Sequence, residues 1–208
     1  SLGVFHTTNH DDILFQTTGR STGLFANVDK TLRKGFEGSI SGEIQRFNWM
    51  LSYSNINASF EDSFNALSPN HDFADDDGEI QVRGGDKIPG IPEHQFKFLG
   101  NYELIDGLHV GFDIARNSSQ FLRGDESNQM NEIDGYTVAN LRLRYEINEK
   151  LEIFATVQNL FDKEFETFGL LGEEPNELEV PIIEDLEMPI FLGAAPPRAG
   201  FLGINYSF

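Results

Sequence analysis

Apolar and polar residues alternate with a period of two along much of this chain, whereas helical periodicity is rare. The alternation is clearest near the end, where Leu202, Ile204, Tyr206 and Phe208 are each separated by one small or polar residue. Similar alternation marks segments near residues 2–8, 33–40, 49–53, 96–102, 108–114, 139–145 and 151–157. The sequence therefore predicts eight strands, most of them near the ten residues that a tilted strand needs to cross a bilayer.

The connections between these strands alternate strictly between short and long. Short turns are predicted near 42–46, 105–107 and 148–150, and long connections at about 16–24, 59–93, 119–134 and 160–196. A soluble domain rarely carries two irregular loops of such length. Short turns at one end and long loops at the other are typical of a transmembrane β-barrel. The predicted fold class is therefore all-β, an antiparallel transmembrane β-barrel segment of about eight strands.

Charge is concentrated in the predicted loops. The 208 residues include 34 acidic and 15 basic side chains, for a net charge of -19. Loops 59–93, 119–134 and 160–196 carry -7, -3 and -9, which together account for the whole net charge. One pole of the molecule is thus acidic, which disfavours binding to nucleic acid. The chain contains no cysteine and no apolar run long enough for a helical membrane span, so disulfides, thiolate metal sites and such spans are excluded.

Alternation alone does not say which face points outward, because a soluble eight-stranded calyx buries its apolar face inside. Two observations favour an apolar exterior. The opposite face would carry too many charges for a small closed core, among them Glu37, Lys97, Asp113, Arg116, Arg142, Arg144 and Glu152. Aromatic residues also gather at the strand ends, including Phe47, Trp49, Tyr102 and Tyr145 at the turn pole and Phe60, Phe121, Phe161 and Phe165 at the loop pole. Such rings are typical of the two membrane–water boundaries.

One stretch carries a specific family resemblance. Val157, Asn159, Leu160, Phe161 and Asp162 belong to a segment that resembles the V-x-N-L-F-D-K-x-Y element of TonB-dependent outer-membrane receptors, with Phe165 in place of the tyrosine. Segments 27–37, 88–94 and 135–141 and the closing strand 198–208 resemble further parts of that family, in the same order. The chain thus resembles the C-terminal part of such a receptor over nearly its whole length.

This resemblance implies a location, an activity and partners. Such receptors are 22-stranded barrels of the bacterial cell outer membrane, closed by an N-terminal plug and energised by the TonB complex. Residues 1–208 would form the C-terminal portion of the barrel, without the plug or the TonB box. The implied activity is import of a scarce nutrient, most often a ferric siderophore or another metal chelate. The implied partners are the bilayer and lipopolysaccharide, the TonB complex and plug, the barrel assembly machinery and a small nutrient ligand.

Two alternatives of other classes are compatible with the strand pattern. One is a stand-alone eight-stranded outer-membrane barrel with a structural or adhesion role, and the other is a soluble ligand-binding calyx. Both leave the segment around Asn159 without an explanation. The acidic loops additionally disfavour a highly anionic catecholate complex as ligand, because like charges repel at a binding mouth.

Candidate chemistry in the sequence is sparse. The five histidines show no spacing that pairs them with a nucleophile or a metal ligand, so neither an enzyme nor a cofactor is expected. The acidic stretch from Asp72 to Glu79 lacks the EF-hand pattern and is interpreted as a solvated loop, and no metal site is expected. Gln120, Arg123 and Asn128 of loop 119–134 are the candidates for contact with a ligand.

The row Leu202, Ile204, Tyr206 and Phe208 is expected to face lipid and to be the barrel-assembly signal, because an apolar strand with an aromatic terminus can be recognised by strand pairing. Deletion of Phe208 is therefore expected to lower severalfold the amount of folded barrel in the outer membrane. The measurement is the heat-modifiable band of outer-membrane fractions after gel electrophoresis. Normal insertion of the shortened chain would refute the assignment.

Overall fold

The computed structural model describes residues 1–17, 23–172 and 190–208. These residues form twelve strands: β1 Leu2–Thr17, β2 Gly23–Ile44, β3 Phe47–Phe60, β4 Phe64–Leu67, β5 Glu79–Val82, β6 His94–Ile105, β7 Leu108–Asn117, β8 Tyr136–Asn148, β9 Leu151–Gln158, β10 Glu166–Leu171, β11 Ile190–Ala194 and β12 Ala199–Tyr206. Within these ranges no helix is long and apolar enough to cross a membrane. The acidic run from Glu173 to Glu187 and most of the connection 16–24 lie outside the described residues.

Eight strands form one antiparallel sheet in the order β1-β2-β3-β6-β7-β8-β9-β12. The prediction of eight antiparallel strands joined by alternating short and long connections is therefore confirmed. The short turns follow β2, β6 and β8, and residues in the left-handed region reverse the chain at Gln45 (φ 56°) and Gly107 (φ 80°). In the part of the chain that the structure describes, β1 and β12 are the two ends of the sheet and do not pair with each other, so the sheet is open.

The strand register collects the apolar residues on one face. A row of cross-strand partners runs from Ile40 to Leu51, Phe98, Ile114 and Ala139, and partners in a sheet project from the same side. Side chains on this apolar face are strongly exposed, such as Leu2 at 80%, Val4 at 81% and Leu202 at 77%. A continuous apolar surface on one side of an open sheet is what a lipid-facing barrel wall requires.

The opposite, polar face carries a ladder of charged and amide side chains. The Asp113 carboxylate accepts a hydrogen bond of 2.6 Å from Asn140 and lies 3.5 Å from the Arg142 guanidinium. Glu152 accepts a bond of 2.8 Å from the Asn205 amide and lies 3.8 Å from Arg144. These pairs lie on the charged face that the sequence predicted opposite the apolar one, and they make it an ion-paired wall.

Arg116 was expected on this polar face, and that prediction is wrong. In the register it is the partner of Phe96 and Thr137, which places it on the apolar face beyond Ile114. Arg116 lies two residues after Ile114 in β7, and alternate residues of a strand project from the same face. A charged side chain at the end of an apolar row need not belong to the polar face.

The alternation of β1 changes phase at Asp11, which has a left-handed backbone (φ 53°). Before Asp11 the even-numbered residues Leu2 and Val4 are exposed, whereas after it the odd-numbered Ile13 and Phe15 are exposed. As a result Leu14 turns toward the core that forms at the loop pole. The paired strand β2 changes phase in the same place and buries Val28 there.

Two of the long loops contain hairpins, whereas the sequence predicted irregular structure. Strands β4 and β5 pair within loop 59–93, and β10 and β11 pair within loop 160–196. The first hairpin buries Ile80 and Val82 against Val28 and Phe60, and a second cluster consists of Leu122, Ile133 and Leu171. Phe60 was expected at a membrane boundary, but it is 1% exposed and packs edge-on against Phe64. We call the described parts of loops 59–93, 119–134 and 160–196 the loop cap.

Gly35 lies where β2 approaches β3 closely. An added Cβ would overlap the Asn55 carbonyl oxygen and would stand 2.9 Å from the Phe5 ring. We expect Gly35→Ala to lower the free energy of unfolding by about 1–3 kcal/mol, because backbone must move to make room. Gly200→Ala is the matched control, since nothing lies within 4 Å of its added Cβ. Thermal unfolding in detergent measures both, and equal stability of the two variants would contradict the expectation.

Candidate functional site

The loop cap is built around one buried contact between loops 59–93 and 119–134. The His71 and Asp125 side chains are both 0% exposed, and His71 Nε2 lies 2.8 Å from Asp125 Oδ1. The Asp125 carboxylate also accepts the backbone N–H groups of Gln129 at 2.9 Å and Met130 at 3.0 Å, and the Ser127 hydroxyl at 3.2 Å. A buried carboxylate with this many donors is fully compensated, so Asp125 anchors the cap.

Ser127, His71 and Asp125 thus lie within hydrogen-bonding distance of one another. The spacing of the histidines along the sequence did not predict this arrangement. Their geometry is not that of a catalytic triad. The backbone N–H of Phe73 donates to His71 Nδ1 at 3.1 Å, so that nitrogen is an acceptor and the proton lies on Nε2, where it is donated to Asp125. Ser127 Oγ approaches the same Nε2 at 3.4 Å. In a triad the hydroxyl and the carboxylate use opposite ring nitrogens, and here no basic nitrogen faces the hydroxyl.

Further hydrogen bonds tie the three loops into one unit. Ser68 Oγ donates to the Gly124 carbonyl at 2.6 Å. Asn128 accepts from the Lys87 backbone N–H at 2.5 Å and donates to the Lys87 carbonyl at 3.0 Å. Gln120 Nε2 donates to the Thr167 carbonyl at 2.9 Å, which links loop 119–134 to β10. The cap is therefore cross-linked by side chains of loops 59–93 and 119–134 that bond to backbone groups across all three loops.

The three candidate ligand contacts differ in their surroundings. Gln120 is 8% exposed, and the Asn128 amide is occupied by the Lys87 backbone. Arg123 is exposed, while its backbone is bonded to Gly169 at 3.0 Å and to Leu171 at 2.8 Å. Contact of these residues with a ligand stays a prediction, and Arg123 is the one of the three that presents an exposed charged group on a fixed backbone.

A recess of about 190 Å³ lies between the cap and the ends of β3, β6 and β7. Ile56 and Ala58 form an apolar part of its lining, and Lys87, Glu93 and Glu132 form a charged part. Lys87 Nζ lies 3.3 Å from Glu93 Oε2. By strand register Ile56 shares the polar face with Lys97, so the recess opens at the mouth of the polar side.

The acidic stretch from Asp72 to Glu79 is organised as a turn. Asp75 Oδ1 accepts the backbone N–H groups of Asp77 at 3.0 Å and Glu79 at 2.9 Å, and Gly78 adopts a left-handed backbone (φ 76°). No group of three or more possible metal ligands is found among the described residues. The hydrogen bonds of Asp75 therefore explain this acidic stretch as a turn that is stabilised by its own side chain.

The residues of the family resemblance form a clasp at the end of β9. Asn159 is 5% exposed with φ 48°, and its amide donates to the carbonyls of Lys163 at 2.9 Å and Pro196 at 3.3 Å. Its backbone N–H donates to Asn140 Oδ1 at 2.8 Å. Asp162 Oδ1 accepts the backbone N–H of Arg198 at 2.9 Å. The clasp joins β8, β9 and the start of β12.

The other clasp residues are placed around this network. Val157 is paired with Leu141 and Gly200, and Leu160 donates its backbone N–H to the Ala139 carbonyl at 2.8 Å. Phe161 is 78% exposed. The row Leu202, Ile204 and Tyr206 lies on the apolar face opposite Ala155, Ile153 and Leu151, and the Phe208 ring packs edge-on against Tyr206 at 5.3 Å. The assembly role of this row stays a prediction.

Glu126 is a buried acid in the cap. It is 6% exposed, and its carboxylate accepts one backbone bond of 3.2 Å from Gly124. Burial raises the pKa of Glu126 above its ordinary value, and the neighbouring Asp125 charge adds to the increase. Folding of the cap therefore disfavours the charged form of this side chain relative to the same group in water.

Because the folded pKa is raised, the favourable contribution of Glu126 is present at acidic pH and is lost as pH rises through the folded pKa. Glu126→Gln keeps an acceptor for Gly124 without the charge. We expect it to stabilise the cap at neutral pH and to flatten the pH dependence of the cap's stability. Hydrogen exchange of loop 119–134 between pH 5 and 8 measures this. Exposed Glu132→Gln is the control, and equal effects of both variants would count against the assignment.

Comparison with known proteins gives consistent results. Residues 1–160 match the family model described as TonB dependent receptor-like, beta-barrel. The catecholate siderophore receptor Fiu of Escherichia coli (strain UTI89 / UPEC) is 26% identical over 157 residues, which are 74% of this chain and 19% of that protein. The ferric-pyoverdine 358 receptor of Pseudomonas putida is 29% identical over 151 residues, 70% of this chain and 16% of that protein.

Among solved structures, the siderophore receptor PiuA from Acinetobacter baumannii covers 99% of this chain and 25% of its own chain, with a TM-score of 0.70 and 17% identity. This similarity shows the fold, a transmembrane barrel wall. The chain spans about a fifth of the length of the curated relatives it matches. Since the family model covers more than half of the residues, the chain belongs to the TonB-dependent receptor family, as part of its β-barrel.

Proposed function

We propose that this chain is the C-terminal part, residues 1–208, of an outer-membrane receptor that imports a ferric siderophore or another metal chelate. The observation that carries the proposal is a barrel wall with one apolar and one ion-paired face, capped at one end by cross-linked loops. The apolar face contacts lipid, the polar face lines the lumen, and the cap meets the ligand. This role is one of transport, and the protein is not an enzyme.

The substrate class is supported by the named relatives, which are receptors for catecholate siderophores and for ferric pyoverdine. The charge of the loops restricts the class of transported chelate further. The loops carry the whole net charge of -19, and a strongly acidic mouth repels a highly anionic complex. We therefore propose a ferric chelate of low negative charge, such as a hydroxamate, with Arg123 as a contact near the mouth.

The polar face suits the other partners that transport requires. Its arginines are paired with carboxylates at Asp113 and Glu152, which keeps the wall hydrated without a large excess of either charge. A plug energised by the TonB complex can move along such a wall without breaking apolar contacts. The barrel assembly machinery is the proposed partner of the row that ends at Phe208.

The test is uptake of ⁵⁵Fe chelates by cells that lack other siderophore receptors and express the complete protein. We expect uptake that a protonophore abolishes, with a neutral ferric hydroxamate preferred over a ferric tricatecholate. We further expect Arg123→Gln to raise the half-saturating concentration severalfold. Arg83→Gln is the matched control, because Arg83 is another exposed arginine of the cap.

The outcomes separate the parts of this proposal. A receptor that assembles in the outer membrane but takes up no ferric chelate would refute the transport function. A preference for the tricatecholate would refute the electrostatic argument alone. Equal effects of Arg123→Gln and Arg83→Gln would remove Arg123 from the binding site.

A further inference from the structure

The recess of about 190 Å³ between the loop cap and the ends of β3, β6 and β7 is too small for a whole metal chelate. Sites that enclose a complete ligand usually measure roughly 300–1,000 Å³. One water molecule takes up about 30 Å³ in the liquid, so the recess admits a side arm of several heavy atoms. Because it opens at the mouth of the polar face, it can hold an arm of a chelate whose body lies in that mouth.

The walls of the recess are held by backbone hydrogen bonds. On one side the backbone N–H of Ile56 in β3 donates to the Glu93 carbonyl at 2.9 Å, which fixes the end of loop 59–93 along the strand. On the other side Gln120 and Ile133 exchange two backbone bonds, of 3.2 and 2.8 Å. Both walls are thus positioned by paired backbone, and the side chains between them keep a defined spacing.

Part of the lining is apolar and suits an alkyl chain. Ile56 and Ala58 of β3 contribute to it, and so do Ile91 and Phe121 of the two walls. Ala58 is buried, whereas the other three side chains are half-buried. Methylene groups that leave water for such a surface bind favourably.

The charged part of the lining carries one carboxylate without a partner. Lys87 Nζ lies 3.3 Å from Glu93 Oε2, so these two charges compensate each other. The Asn55 amide donates to His94 Nδ1 at 3.2 Å, so the His94 ring adds no fixed positive charge. Glu132 is exposed, and in the part of the chain that the structure describes it has no cation within 4.0 Å. The recess therefore combines an apolar lining with an excess of one negative charge.

From these observations we propose that the recess binds an aliphatic ammonium arm of the transported ferric chelate. The inference rests on the proposed uptake of a chelate of low negative charge and names a feature of that chelate. The methylene stem contacts Ile56 and Phe121, and the ammonium group pairs with Glu132. Ser118 and Ser119 also line the recess, and a hydroxyl group accepts a hydrogen bond from an ammonium donor.

The same lining disfavours arms of other chemistry. A carboxylate arm meets Glu132 and Glu93, while the one cation of the lining, Lys87, is already paired. A neutral arm with the same stem keeps the apolar contacts and loses the ion pair. The charge at the end of the arm is therefore the feature that the recess distinguishes, and acetylation of the amine removes this charge without shortening the stem.

The experiment measures the binding of two ferric probes to the complete receptor, purified in mild detergent, by isothermal titration calorimetry. The probes are the ferric complex of desferrioxamine B, a linear trihydroxamate with a free pentylammonium arm, and the same complex with that amine acetylated. We expect the amine form to bind more tightly by about two- to fivefold, the contribution of a partly exposed ion pair. Glu132→Gln should abolish this preference.

Asp134→Asn is the matched control, because Asp134 is an exposed acid of the same loop that does not line the recess. Equal affinity of the unchanged receptor for both probes, or a preference that persists in Glu132→Gln, would overturn the proposal. An equal loss of preference in Asp134→Asn would overturn it in favour of general attraction by the acidic loops. Glu132→Asp keeps the charge and should retain a preference for the amine form.

Uptake of the two ⁵⁵Fe-labelled probes by cells separates this inference from the transport function. Binding with the expected preference but without uptake of either probe would refute transport alone. Uptake of both probes with equal half-saturating concentrations would refute the role of the recess alone.

Discussion

The structure depends on one constraint, that every backbone N–H and C=O group in a lipid environment needs a partner within the protein. Antiparallel pairing across eight strands meets this need and fixes the register, and the register in turn decides which side chains face out. Because cross-strand partners share a face, a single pairing such as Leu51 with Phe98 determines the environment of a whole row. The apolar band and the ion-paired wall both follow from the register of the strands.

The strands of the large sheet, which meet this constraint, could be predicted from the sequence. The structure within the long loops could not. The strands around Leu141, Ile153 and Leu202 were predictable because alternation persists over many residues. The hairpin of β4 and β5 was not, since each strand has four residues in an acidic loop and is stabilised by contacts with Val28 and Phe60. His71 and Asp125 are 54 residues apart, and no local pattern brings such partners together.

The loop cap is anchored by one buried carboxyl group and destabilised by the burial of another. Asp125 is surrounded by donors and anchors two loops, whereas the adjacent Glu126 is buried with one donor from Gly124, and burial raises its pKa. Two neighbouring carboxyl groups in one turn thus differ sharply in the number of hydrogen-bond donors around them. A cap held by a few buried polar contacts can be ordered before any ligand arrives, which lowers the entropy lost on binding.

The clasp around Asn159 has a consequence for how such a molecule can diversify. Both ends of the long excursion after β9 are fastened to the same small network, at Lys163 on one side and at Pro196 and Arg198 on the other. Insertions or deletions between these points leave the pairing of β9 with β12 untouched. The seam between β9 and β12 can therefore stay in register while the length of the excursion changes over evolutionary time.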